Sequence, residues 1–290
     1  MGEFKVDMSP AKIIAVGSVK HGQGITSICF NLGYKLSTLV NKKILIIDTN
    51  FLFKEMGFVT DQTSANTIDE LISMVKTQEV SKEIFMLHTE EVNKNLRIIN
   101  SSNIDSLDYI KKNSEHLIKV IDEAKKYFDI IIVDATAGVK SPLTRMIFNK
   151  CDLFINVLTQ NPYILNWYLK NSDFKGDKEL NIVNLYEEDV YPAMAEIKKD
   201  FGIKEALPIR YSKLFRHFYN QKILDPFYRT TEDVYNVDFS QLISKIGERL
   251  GINELKKVNV VNTNMLVSMD DTAITKKKGM FSGLFNMFKK

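Results

Sequence analysis

The sequence predicts a doubly wound α/β fold, a mostly parallel sheet flanked by helices. Three features point to it. Short β-branched runs recur along the chain, stretches of helical period separate them, and the runs are apolar at nearly every position. A sheet with one wet face would alternate apolar and polar residues, whereas an unbroken run suits a strand covered on both faces. The helical spacers supply the crossovers that parallel strands require. With 290 residues, 44% of them hydrophobic, the chain can bury one substantial core.

In chain order the expected strands are 12–17 (KIIAVG), 42–48 (KKILIID), 96–100 (LRIIN), 128–134 (FDIIIVD), 152–158 (DLFINVL) and 180–186 (LNIVNLY). Helical periodicity falls near 25–40, 67–77, 106–127, 142–149, 191–201 and 238–250. The division is a folded unit over 1–251, a polar Asn/Thr/Val-rich linker over 252–275, and a short amphipathic segment over 276–290. Tyr163, Trp167 and Tyr168 cluster after the fifth run and are expected to pack in the core or in a dimer contact. The two cysteines lie in apolar segments, which fits a reducing cytosol better than a secreted disulfide framework. No run reaches the 18 apolar residues of a membrane span and the first residues lack an apolar core with a cleavage site, so neither a span nor export by a signal peptide is expected.

The first chemically informative stretch is VGSVKHGQGITS, residues 16–27, between a strand and a helix. Glycines at 22 and 24 let backbone N–H groups approach phosphate oxygens, and the helix N-terminus adds a favourable dipole. The loop candidates are Lys20, His21, Gly22, Gln23, Gly24, Ile25, Thr26 and Ser27. Asp48 and Asp134 end two of the apolar runs, at the carboxyl edge where such sheets bind ligands. With the Thr26 hydroxyl they form a hard-oxygen set suited to Mg²⁺. Gly138, in DATAG, is placed to meet a terminal phosphate.

These residues resemble the MinD/ParA family of deviant P-loop ATPases, a P-loop NTPase fold of the SIMIBI type, over about residues 10–251. Lys20 matches the family's signature lysine, which in related proteins reaches across a dimer to the partner's nucleotide. Gly22, Gly24, Thr26 and Ser27 match the rest of the loop, and DATAG resembles the second switch. The resemblance also places Asn184 and Pro208 at the adenine pocket. It implies ATP and Mg²⁺ as cofactors and a homodimer as the working form.

Two positions depart from the family. Ile25 stands where the P-loop lysine would touch the β and γ phosphates, a contact whose loss weakens nucleotide by roughly 10- to 150-fold. Asn50 stands where the first switch carries the acid that orients the attacking water, so hydrolysis is expected to be slow or absent. Lys20, Asn50 and Asp134 are therefore the catalytic positions to test. A missing loop lysine with Lys20 retained looks like the TadZ/CpaE branch, which helps place pilus and secretion machinery.

Residues 276–290, KKKGMFSGLFNMFKK, hold five lysines and no acid, so the rest of the chain carries a small net negative charge. Met280, Phe281, Leu284, Phe285, Met287 and Phe288 share one helical face, with lysines at both ends. Such a helix suits the surface of an anionic membrane and resembles the membrane-targeting helix of MinD. The expected protein is a cytoplasmic ATP-binding dimer, peripheral on the inner face of the cell membrane, that positions a pilus, secretion or division component. A nucleotide-free scaffold is the alternative. Partition on DNA is disfavoured by the acidic balance outside the tail.

Overall fold

The computed structural model describes residues 10–51, 55–60, 67–77, 79–101, 107–138, 141–171, 176–230, 232–256 and 258. The chain runs β1 (Lys12–Ser18), α1 (Ile25–Leu39), β2 (Ile44–Asp48), α2 (Glu55–Thr60), α3 (Ile68–Thr77) and α4 (Lys82–Leu87). It continues β3 (Glu90–Asn93), β4 (Leu96–Ile99), α5 (Leu107–Ala124), β5 (Ile130–Ala137), α6 (Pro142–Lys150), β6 (Leu153–Thr159) and α7 (Pro162–Asn171). The last third holds β7 (Glu179–Tyr186), α8 (Met194–Lys199), β8 (Ala206–Arg210), α9 (Lys213–Asn220), α10 (Leu224–Tyr228) and α11 (Val234–Leu250).

One sheet of eight strands results, in the order β3-β4-β2-β5-β1-β6-β7-β8, parallel throughout except for β3 at one edge. The mostly parallel fold expected from the sequence is therefore present, with two edge strands more than the six apolar runs. Strand order reverses about β1: the chain moves outward from it to β2 and β4, returns to β5, then crosses to β6 on the other side. Ligands of open α/β sheets bind at such a switch point, outside the carboxyl ends of the strands.

The central strands bury both faces. Ile13, Ala15 and Val133 join an apolar layer with α3, α5, α6 and α7, while Ile14, Val16 and Ile132 join another with α1, α10 and α11. Helix α1 lies close on the sheet because Gly33 has no side chain; a Cβ there would sit 2.6 Å from Ile46 Cδ1. At the other edge, Arg210 on β8 binds Asp238 of α11 through its own N–H (2.8 Å) and through its guanidinium (2.7 Å). Pro208 is tolerated in β8 because an edge strand does not need every N–H in the ladder.

A buried polar contact fixes α1 against the helices beyond it. Asn31 Nδ2 donates to the Tyr235 hydroxyl at 2.6 Å, and the Tyr228 hydroxyl donates to Asn31 Oδ1. Burial pushes both phenols well above the ordinary tyrosine range, so they act as neutral hydroxyls. Asn31→Leu leaves both without their partner, at roughly 1–3 kcal/mol each. The thermal midpoint should fall by at least about 5 °C, and adding Tyr228→Phe and Tyr235→Phe should restore part of the loss. An unchanged midpoint in the single variant would refute this role.

The aromatic cluster divides. Tyr168 is buried and Trp167 packs against the core, but Tyr163 is exposed. The folded unit also extends past the boundary read at 251, because Ile252 and Leu255 are buried against the domain. The membrane-face residues Met280 to Phe288 lie outside the described residues. Among the described residues no helix is long and apolar enough to cross a membrane, and both cysteines are buried and free.

Candidate functional site

The loop after β1 lies at the carboxyl edge of the sheet, at the switch point. Gly24 caps α1 in the left-handed conformation (φ 86°) and supplies no side-chain acceptor, and the first turn of α1 contains no acid. The N–H groups there face no competing carboxylate of their own helix, the arrangement that suits an anion. Gly22 also has positive φ, and a Cβ at Gly22 or Gly138 would meet nothing within 4 Å, so both flank open space. Gly138 donates its N–H to Ser18 O at 2.9 Å, which ties the end of β5 to the start of the loop.

Other side chains hold the loop in place. Gln23 is buried; its Oε1 accepts from Thr159 Oγ1 at 2.6 Å, and its carbonyl accepts from Asn184 Nδ2 at 2.8 Å. Ser27 Oγ closes the turn onto Gly24 O at 2.9 Å. Gln23 and Asn184, expected at the nucleotide, thus stand here as anchors of the loop. Lys20 and His21 are exposed at its crest. Ile25 is 8% exposed and belongs to the apolar layer under α1, so its side chain packs inward while its backbone opens the helix. Packing gives the isoleucine a physical reason that the sequence pattern did not disclose.

The two acids lie side by side. Asp48 on β2 is the register neighbour of Asp134 on β5, and both are buried. Thr26 Oγ1 donates to Asp134 Oδ2 at 2.7 Å. Asp48 accepts from the Asn50 N–H at 2.8 Å and from Ser101 Oγ at 2.8 Å. Burial first, and the Asp134 charge second, push the Asp48 carboxyl up to about 8. Cys29 lies beside the pair; burial, then Asp134 and Asp48, raise its thiol well above the usual range, so it remains protonated.

Two adjacent carboxyl groups and a hydroxyl fit Mg²⁺ chemically, since a hard cation would favour the charged form that burial and the Asp134 charge disfavour. Among the described residues no three His, Cys, Asp or Glu form a cage of their own. Asn50 is half-buried beyond β2, its carbonyl accepting from Ser101 Oγ at 3.0 Å. Pro208 pairs with Val183 in the register of β7 and β8, next to Asn184. Thr159 and Ser101 are site residues that sequence reasoning missed; each lies just after an apolar run, the one local signal that marks them.

A phosphate-type loop at the switch point of a parallel sheet, with acids ending β2 and β5, defines a P-loop class of α/β protein. The family model described as AAA domain matches residues 11–166, more than half of the chain, and the chain belongs to that family. No curated protein matched. Among solved structures, the chain is similar to a ParA family ATPase from Chlorobium tepidum, at 17% identity and TM-score 0.64, over 78% of this chain and 95% of that one. It is similar to MinD of Pyrococcus horikoshii, solved with Mg-ADP, at 19% identity and TM-score 0.65, over 83% and 98%. It also resembles a Cyanothece McdA variant solved with ATP, at 20% identity and TM-score 0.65, over 84% and 98%. The fold is that of the ParA and MinD structures.

Proposed function

We propose that this protein is an ATP-binding, membrane-docked homodimer that positions or recruits a pilus, secretion or division component. The observation that carries the reading is the acid pair, Asp48 beside Asp134 with Thr26 bonded to it, set below a glycine-supported anion loop. Such a pair is costly to bury and is relieved by a Mg²⁺–nucleotide complex. The MinD and McdA neighbours were solved with Mg-ADP and with ATP, which supports the ligand class.

In this reading Lys20, exposed at the loop crest, bridges to the partner's nucleotide, and nucleotide serves as an assembly ligand. Turnover is slow because Ile25 packs inward and Asn50 offers an amide where a carboxylate would orient water. Dimerisation places two copies of the 276–290 segment on one particle, and effective concentration then turns two weak anchors into stable attachment. Branch-level likeness to TadZ/CpaE proteins rests on the missing loop lysine alone.

Light scattering with ATP and Mg²⁺ tests this. The intact protein should double in mass and sediment with anionic vesicles, while Lys20→Ala should stay monomeric and in the supernatant. The same dimer in both proteins would remove Lys20 as the bridge, and vesicle binding equal with and without ATP would remove the nucleotide switch.

A further inference from the structure

Helix α1 begins at the phosphate loop and ends against a second cavity, about 15 Å further along its axis. There a pocket of about 200 Å³ opens between the C-terminal half of α1, α10 and α11. Its walls are apolar, formed by Leu39, Tyr228, Ile243 and Val258, but they surround one buried cation. Lys35 is 7% exposed, and among the described residues no oxygen accepts a hydrogen bond from its Nζ. The Tyr228 ring faces it, its centroid 5.8 Å from Nζ. Burial pulls the amine down to about 8, with Asp233 opposing that shift.

Asp225 lies on the same wall but is already engaged: it accepts from the Tyr34 hydroxyl and pairs with Arg229 Nη2 at 3.0 Å. Lys35 lines the pocket, so its ammonium is available to an anion that enters it.

We infer that this pocket binds a small organic carboxylate, its apolar body against Leu39, Ile243 and Tyr228 and its carboxylate on Lys35 Nζ. The volume is below the roughly 300–1,000 Å³ of drug-sized sites, so a nucleotide does not fit. The walls are too apolar for inorganic phosphate. The segment 276–290 is a poorer match, because it brings five lysines and no acidic side chain toward a cation. Occupancy would touch both α1, the helix that opens the phosphate loop, and Val258, from which the tail departs.

The probe is 2-naphthoate, titrated by calorimetry into the full chain without nucleotide, with 2-naphthalenemethanol as the neutral isostere. Naphthoate should bind the native protein and bind Lys35→Met roughly 10- to 150-fold more weakly, while the alcohol should not distinguish the two. Between pH 7 and 10 the native affinity should fall as the amine loses its proton. The other ionisable groups around it, Tyr34, Asp225, Tyr228, Arg229 and Asp233, all remain in Lys35→Met, whose affinity should stay flat. Thr38→Trp at the rim keeps Lys35 and should also remove binding, which guards against a misfolded Lys35 variant. Equal affinity in native protein and Lys35→Met, or retained binding in Thr38→Trp, overturns the assignment. So does binding that appears only after Phe281→Asp and Phe285→Asp, which would give the pocket to the tail.

Discussion

Gly24→Ala should lose most ATP binding while the domain remains folded. Gly24 holds φ 86°, where a side chain costs about 1–2 kcal/mol. The added Cβ would also lie 2.5 Å from Asn184 Nδ2, the amide that donates to Gln23 O at 2.8 Å. Asn184 is buried, so it can make room only by giving up that bond, at roughly 1–3 kcal/mol more. The strain is local to the loop, since the strands and the two apolar layers make no demand on residue 24. Whatever the loop relieves by moving, it moves the N–H groups that cradle phosphate, and affinity should fall at least about tenfold. Gly22→Ala is the contrast: φ is again positive, yet open space surrounds the position, so its loss should be smaller. Calorimetry with ATP and Mg²⁺, beside a circular dichroism melt, decides it. Equal affinity in Gly24→Ala and native protein would show that nucleotide does not use this loop conformation.

The same loop shows how far the sequence carries. β1 and β5 were legible because both of their faces are buried, which leaves an unbroken apolar run that no other element imitates at that length. β3 and β8 were not, since EEVN has no apolar run and ALPIR carries a proline that only an edge strand accepts. The short helices α9 and α10 were also missed: eight and five residues give too few turns for a periodic signal. Within the site, Lys20 to Ser27, Asp48 and Asp134 were legible because chemistry fixes both their type and their place at strand ends. The contacts that shape the site were not. Gln23 meets Thr159 and Asn184 only because the sheet order sets β6 beside β1 and β7 next beyond it, across separations of 136 and 161 residues. Ile25 illustrates the other limit: the substitution was visible, but its inward packing depends on a layer assembled from distant helices.

The second large effect is at Asp48, where stability and binding should move in opposite directions. Its carboxyl is raised in the fold, by burial first and the Asp134 charge second, from an ordinary 3.8 to about 8. Between those values the folded protein holds a proton that the unfolded chain releases, so stability declines as pH rises through this window. Below about pH 4 both states are protonated and the penalty vanishes. Asp48→Asn keeps the shape and removes the charge. The variant should therefore melt near the native protein at pH 4.5 and well above it at pH 8, by an amount on the order of a few kcal/mol. Mg²⁺-dependent ATP binding should fall in the same variant, because the cation that would relieve the native pair loses one of its two carboxylates. If the pair holds Mg²⁺ as proposed, added Mg²⁺ with ATP should narrow the pH 8 gap by stabilising the native protein more than the variant. A melting gap of the same size at both pH values would place the strain elsewhere, and undiminished Mg²⁺–ATP binding in Asp48→Asn would remove Asp48 from the metal set.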